Sequence, residues 1–345
     1  MIISKDLFLV QFLTLQVDII RKLKKRRIAM KILVTGGAGF IGSNVVDGYV
    51  QAGHDVVVVD NLYSGKLENI NPKAKFYLMD IRSDEIGKVL DIERPDVINH
   101  HAAQISVPYS VEDPLFDVSV NIQGFVNLLE AARQHEIKKV IFISSGGAIY
   151  GEAEEYPTSE SYPPQPLSPY AIAKAVSEDY LYFYNHQYGL DYTVLRYANI
   201  YGPRQIPHGE AGVVAIFMDN LVAGRKSLLF HFPDEPDGMV RDYCFVGDVV
   251  KANLMALEKG SGQAFNIGTG VETRTRKLYD TIYELMKPEL NLSDELAELE
   301  SQDARAGDLT QSCLKIDKAR KELGWEPDFQ LREGLRKTME WRLSR

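Results

Sequence analysis

Residues 31–42 read Lys31-Ile32-Leu33-Val34-Thr35-Gly36-Gly37-Ala38-Gly39-Phe40-Ile41-Gly42. An apolar run, a glycine turn and the helix-compatible stretch Ser43–Tyr49 follow one another. That order predicts a buried strand that feeds a phosphate-binding turn and then a helix. Gly36 permits the tight turn, Gly39 lets the backbone approach a pyrophosphate, and Gly42 allows close helix–strand packing. The helix N-terminus offers unpaired N–H groups and its positive dipole end to the phosphates. Phe40 and Ile41, inside the turn, belong to the same candidate site.

Outward from this stretch, short β-branched runs alternate with helical segments. Val56–Val59, Phe76–Met79, Val97–Asn99 and Val140–Ser144 read as parallel strands buried on both faces. Asn44–Ala52 and Gly124–His135 read as crossover helices. The expected fold class is α/β, a Rossmann-type doubly wound parallel sheet, with a smaller mixed α/β C-terminal substrate lobe. Asp60 ends the second strand and is followed by Asn61 and, nearby, Ser64. A carboxylate at Asp60 accepts hydrogen bonds from ribose hydroxyls and repels a 2′-phosphate, so the expected cofactor is NAD rather than NADP. Asp80-Ile81 is expected to close the third strand, where a carboxylate can meet the adenine amino group.

Beyond residue 200 the pattern loosens. Tyr162–Pro169 and Pro203–Gly212 read as loops, and residues 229–242 as a long surface loop. Thr275–Met286, Lys315–Leu323 and Leu331–Leu343 read as helices. The expected organisation is an N-terminal appendage (1–29), a dinucleotide domain (30–200) and an interleaved substrate lobe (201–345).

The strand Val140–Ile143 ends in Ser144-Ser145-Gly146-Gly147, and Tyr170-Ala171-Ile172-Ala173-Lys174 follows. On a helix, Tyr170 and Lys174 share one face. A phenol with a pKa near 10 is a poor base at neutral pH. A neighbouring ammonium and a nicotinamide cation would lower it towards the working range, and a serine hydroxyl would orient the substrate oxygen. Ser145, Tyr170 and Lys174 are the candidate catalytic residues, with Ser144 an alternative hydroxyl.

The 345 residues carry a formal charge of −9, which excludes a general basic face for nucleic acid but leaves room for local arginines that hold an anionic ligand. The only cysteines, Cys244 and Cys313, lack metal-ligand spacing. That pattern argues for a reducing, cytoplasmic setting and against a disulfide framework or a bound metal. The apolar stretch Leu7–Ile20 is too short and too polar to span a membrane, and the basic run Arg21–Arg27 follows it rather than precedes it. Residues 1–29 therefore read as an appendage, with an interfacial amphipathic helix as the alternative.

Taken together, TGGAGFIGSN (35–44), VDNLYSG (59–65), MDIR (79–82), HHAAQISV (100–107), SVNIQG (119–124), FISSGGAIYGE (142–152), SPYAIAK (168–174), LRYANIYGPRQ (195–205), VRDYCFVGDV (240–249) and RAGDLTQS (305–312) resemble the extended short-chain dehydrogenase/reductases, and within them the UDP-glucose 4-epimerase-like group. The resemblance covers the chain from Met30 onward. It implies C4 epimerisation of a UDP-hexose through a 4-keto sugar, with Tyr170 as base, Lys174 on the nicotinamide ribose and Ser145 on the C4 oxygen. It further implies that Ala102, Ala103, Gln104, Asn121 and Tyr197 lie along the cofactor. Asn199 and Arg241 would hold the diphosphate, Arg305 and Asp308 the uridine, and Val214 and Phe217 would line the nucleotide pocket.

The Asp-Glu pair that the related 4,6-dehydratases carry is absent here, which counts against dehydration. The position that gates sugar size falls at Ser312, whose small side chain implies room for a 2-acetamido group. Competing readings are a UDP-glucuronate epimerase or decarboxylase, and a non-catalytic NAD-binding relative; the intact Ser145, Tyr170 and Lys174 speak against the latter. The family commonly dimerises through the helix that bears Tyr170. The aromatics Tyr180, Tyr182, Phe183 and Tyr184 imply a homodimer, or else packing of that helix on its own core.

Overall fold

The computed structural model describes residues 29–207, 212–305 and 307–345. Its strands are β1 (Lys31–Thr35), β2 (Asp55–Asp60), β3 (Lys75–Leu78), β4 (Val97–His100), β5 (Lys139–Ser145), β6 (Asp191–Tyr197), β7 (Asn199–Tyr201), β8 (Leu228–His231), β9 (Val240–Phe245), β10 (Gln263–Ile267), β11 (Glu272–Arg274), β12 (Glu300–Asp303) and β13 (Gln311–Ser312). Seven of them form one sheet in the order β3-β2-β1-β4-β5-β6-β10, and every pairing in it is parallel.

The continuous apolar runs are explained by burial on both sides. Ile32, Val34, Val56 and Val58 pack on one face against Val45, Val46 and Tyr49. Leu33, Val57, Val59 and Ile98 pack on the other against Phe125, Leu128 and Leu181. Alternate residues of a strand point to opposite faces, so only an unbroken hydrophobic run serves both layers. The order reverses between β1 and β4, and a crevice opens there at the C-terminal strand ends.

Later segments build a second layer around β9, which pairs with β7 and β13 in parallel and with β11 antiparallel. Phe217, Met218, Tyr279, Ile282 and Leu335 form its core. The chain then returns to the main sheet through β10, which pairs with β6.

Several expectations shift. The first helix starts at Phe40, directly after Gly39, rather than at Asn44. β3 ends at Leu78, so Asp80-Ile81 lies in the turn beyond the strand. Pro169 is not loop but the first residue of the helix Pro169–Tyr188, with Ser168 accepting the Ala171 N–H at 3.2 Å; proline's missing N–H costs nothing there. Residues 229–242 are not a long loop: β8 pairs with β12 and β9 begins at Val240. The expected helix Lys315–Leu323 is present but starts two residues later, at 317, and winds as a π-helix over Ala319–Leu323. The proposed appendage lies outside the described residues, save for its last one. Among the described residues no helix is long and apolar enough to cross a membrane.

Candidate active site

The glycine turn leaves no room for side chains. Gly36 has φ +69°, and a Cβ there would lie 2.6 Å from the Ala102 nitrogen; one on Gly42 would lie 2.2 Å from the Gly36 oxygen. Gly36, Gly39, Phe40, Ile41 and Gly42 line one end of a cleft of about 430 Å³, and Ser145, Tyr170, Lys174 and Tyr197 line the other. Asp60, Asn61, Ser64, Asp80, Ile81, Ala102, Ala103 and Gln104 complete the wall. Backbone packed too closely at Gly36 and Gly42 for a Cβ, next to a strand-end carboxylate, fits a dinucleotide-binding turn.

Asp60 accepts the Ala38 N–H at 3.0 Å and the Leu62 N–H at 2.8 Å, one on each carboxylate oxygen. Each oxygen keeps a further lone pair for a ligand hydroxyl. Asp80 differs. Its oxygens accept the backbone N–H and Nε of Arg82 (both 2.9 Å), Nη2 of Arg82 (2.7 Å) and Nδ2 of Asn61 (2.9 Å). The Arg82 guanidinium holds its pKa down at about 2. Four donors fill a carboxylate, so an adenine amino group would have to displace one of them.

Asn121 does not reach the cleft, contrary to expectation. It is buried, and its amide exchanges hydrogen bonds with the Gln104 backbone (2.9 Å each way) while donating to Asp117 at 2.9 Å. Its polar atoms are used inward, fixing Gln104, which does line the cleft. His101 also lines the cleft and was not foreseen. Its Nε2 is buried without a hydrogen-bond partner, and burial pushes its pKa down to about 3.

At the strand end the two serines part company. Both line the cleft, but Ser144 is buried and its hydroxyl donates to Glu178 Oε1 at 2.6 Å, whereas Ser145 is half-buried and lowers the pKa of the Tyr170 phenol. Tyr170 and Lys174 share a helix face, with the Lys174 ammonium 5.8 Å from the Tyr170 ring centre. Lys174 Nζ donates to the Ile143 carbonyl at 2.8 Å. Burial pulls it down to about 8 against the opposing pull of Asp117 and Glu178. Tyr170 is pushed up to about 12 by burial, with Ser145 acting the other way. Desolvation therefore dominates the phenol, and Asp117 adds to it.

A second cleft, about 640 Å³, is lined by Asn199, Phe217, Arg241, Arg305 and Asp308, and Asn199, Gly212, Val213 and Tyr243 line both clefts. Val214 lines the first cleft, not the second. The Arg241 guanidinium donates to the carbonyls of Val240 (2.9 Å) and Leu309 (2.7 Å). It has no carboxylate in ion-pair range among the described residues, and burial depresses its pKa. A half-buried guanidinium with no carboxylate in direct contact, lining the same cleft as the orphaned Asn199 Nδ2, suits an anionic ligand. Arg305 pairs with Asp308 at 3.0 Å and stacks on Phe230. Ser312 is only 5% exposed and lies behind Gly147 rather than on the cleft wall, because β13 pairs with β9 and sets Ser312 opposite Arg241. Among the described residues no His, Cys, Asp and Glu cluster could hold a metal.

Residues 32–268 match the model of the NAD dependent epimerase/dehydratase family. A UDP-glucose 4-epimerase of Mycolicibacterium smegmatis is 48% identical over 318 residues, which span 90% of this chain and 98% of that protein. The crystal structure of a Thermotoga maritima UDP-glucose 4-epimerase with UDP-glucose superposes with a TM-score of 0.85 at 48% identity, covering 91% of this chain and 99% of the other. A Thermus thermophilus UDP-glucose 4-epimerase in complex with NAD gives 0.83 at 43% identity, covering 91% and 99%.

Proposed function

The chain belongs to the NAD dependent epimerase/dehydratase family, and from that membership we propose that it interconverts UDP-hexoses at C4. What supports this most is one juxtaposition: Ser145, Tyr170 and Lys174 line the same cleft as the glycine turn, and that cleft shares Asn199 and Tyr243 with the Arg241 cleft. Gly36, Gly39, Gly42 and Asp60 would hold NAD, which would supply the hydride acceptor and donor for C4 of the sugar. Tyr170 removes the proton from the 4-hydroxyl and later restores it, Ser145 holds that oxygen, and Lys174 supports the phenolate. Arg241 and Asn199 anchor the diphosphate and Arg305, Asp308 and Phe217 the uridine end. Binding energy then resides in the nucleotide, and the 4-keto hexose is left free to turn.

Residues 30–200 are assigned to the cofactor and 201–345 to the substrate. The protein is assigned to the cytoplasm as a homodimer. Its two cysteines are free and buried, and exposed apolar side chains, among them Leu115 at 81% and Phe183 at 48%, mark the helices beside the site. The uronate and non-catalytic readings find no supporting feature.

The test is incubation with UDP-glucose and, separately, UDP-N-acetylglucosamine, followed by chromatographic separation of the 4-epimers. Conversion of UDP-glucose is expected; conversion of neither, with NAD still bound to the protein, would overturn the reading.

A further inference from the structure

Glu178 lies one helical turn beyond Lys174, on the face that carries Tyr170 and Lys174. Its side chain is 12% exposed, and its carboxylate is shared. Oε1 accepts the Ser144 hydroxyl at 2.6 Å, and Arg196 grips both oxygens through Nε (3.1 Å each) and Nη2 (2.6 Å). Arg196 pairs with Ser144 in the β5–β6 register and with Asn266 in the β6–β10 register. Its Nη1 donates to the Tyr150 hydroxyl at 2.8 Å, and that hydroxyl donates to Asn266 Oδ1 at 2.8 Å. Asn266 in turn donates to the Thr158 and Lys315 carbonyls. One chain of polar contacts therefore ties the catalytic helix to the strand end next to Ser145, to two further strands and to the loop after β5.

We propose that Glu178 is a positioning residue for the reaction, with Arg196 and Ser144 as its means: it locks the Tyr170–Lys174 helix to the strand end that presents Ser145. The inference rests on the epimerase reading above. A carboxylate this far inside is oriented by fixed donors on both sides, so the spacing of three reacting side chains from two separate elements is set by one group. Misplacement by about 1 Å can lower a rate roughly 100-fold, while the Arg241 cleft, which none of Glu178, Arg196 and Ser144 lines, is untouched. The same carboxylate also holds protons on the Lys174 ammonium.

Glu178→Gln tests this through kcat and KM for the UDP-sugar, the pH profile of kcat, and UDP affinity by calorimetry. The expected result is a kcat about 10- to 100-fold lower, with KM and UDP affinity nearly unchanged and the alkaline limb of the profile moved to lower pH. An unchanged kcat in an active wild-type background overturns the proposal. So does a lower kcat with the alkaline limb unmoved, since that is what simple loosening of the core would give. Because loss of a buried ion-pair partner can prevent folding, Ser144→Ala supplies an independent arm: the ion pair stays and only its link to the strand end goes. It is expected to lower kcat about 3- to 10-fold with KM kept, and wild-type kcat in this variant overturns the proposal. An inactive wild-type protein would instead sink the epimerase reading.

Discussion

A phenol held at about 12 is almost wholly protonated at neutral pH, so the chemistry at Tyr170 depends on positive charge brought to its side. The protein supplies one such charge, Lys174, and directs it at a backbone carbonyl. Tyr170→Phe should accordingly lower kcat about 100- to 10,000-fold while UDP binding measured by calorimetry stays intact; a smaller loss would mean that another group takes the proton. Ser312 poses a different problem, of space. Gly147 carries no side chain in front of it, and the Ser312 hydroxyl would sit 3.9 Å from a Cβ built on Gly147. A phenol ring there would project towards Asn199 and the cleft. Ser312→Tyr is expected to lower kcat/KM for UDP-N-acetylglucosamine about tenfold or more relative to UDP-glucose, and an unchanged ratio would remove Ser312 from any gating role.

Among the elements, the join between the helix Val246–Ala256, which follows β9, and the C-terminal segment turns on Asp248. Its carboxylate accepts the Asp328 N–H at 2.7 Å and, more weakly, the Phe329 N–H at 3.4 Å. Burial raises its pKa from 3.8 to about 7, against the pull of those two N–H groups. A carboxyl raised in the folded state contributes stability below about pH 4 that is lost as pH rises through 7. Asp248→Asn keeps a carbonyl acceptor without the charge. Its melting temperature should exceed that of wild type by about 2–4 °C at pH 8, and the gap should close at pH 4. Thermal unfolding at the two pH values checks this, and a gap of equal size at both would contradict the titration of Asp248.

For the whole molecule, the proposed homodimer predicts that one apolar face covers itself. Ile172, Tyr182 and Phe183 on the catalytic helix, and Leu115 and Val118 on the adjoining short helix, leave large apolar side chains exposed. Patches of this kind mark association surfaces more often than chance exposure does, and a two-fold axis would let the same patch cover itself. Sedimentation of the wild type should give twice the chain mass, and Phe183→Glu should give the monomer. A wild-type monomer at micromolar concentration would remove the dimer.

The sequence alone determined the sheet, the glycine turn, the acid at Asp60 and the pairing of Tyr170 with Lys174 on one helix face, with two candidate serines at the strand end. Each rests on short-range rules: apolar runs for strands buried on both faces, positive φ and close approach for Gly36, helical spacing for Tyr170 and Lys174. Only the tertiary structure separated Ser144 from Ser145, because Glu178 captures one hydroxyl from a distant helix. It also turned Asn121 inward, filled Asp80 with Arg82 and set Ser312 behind Gly147. These outcomes depend on which donors meet which acceptors across segments far apart in the chain. Desolvation of Tyr170 is of the same kind, since burial is a property of everything packed around a residue and no local pattern of residues encodes it.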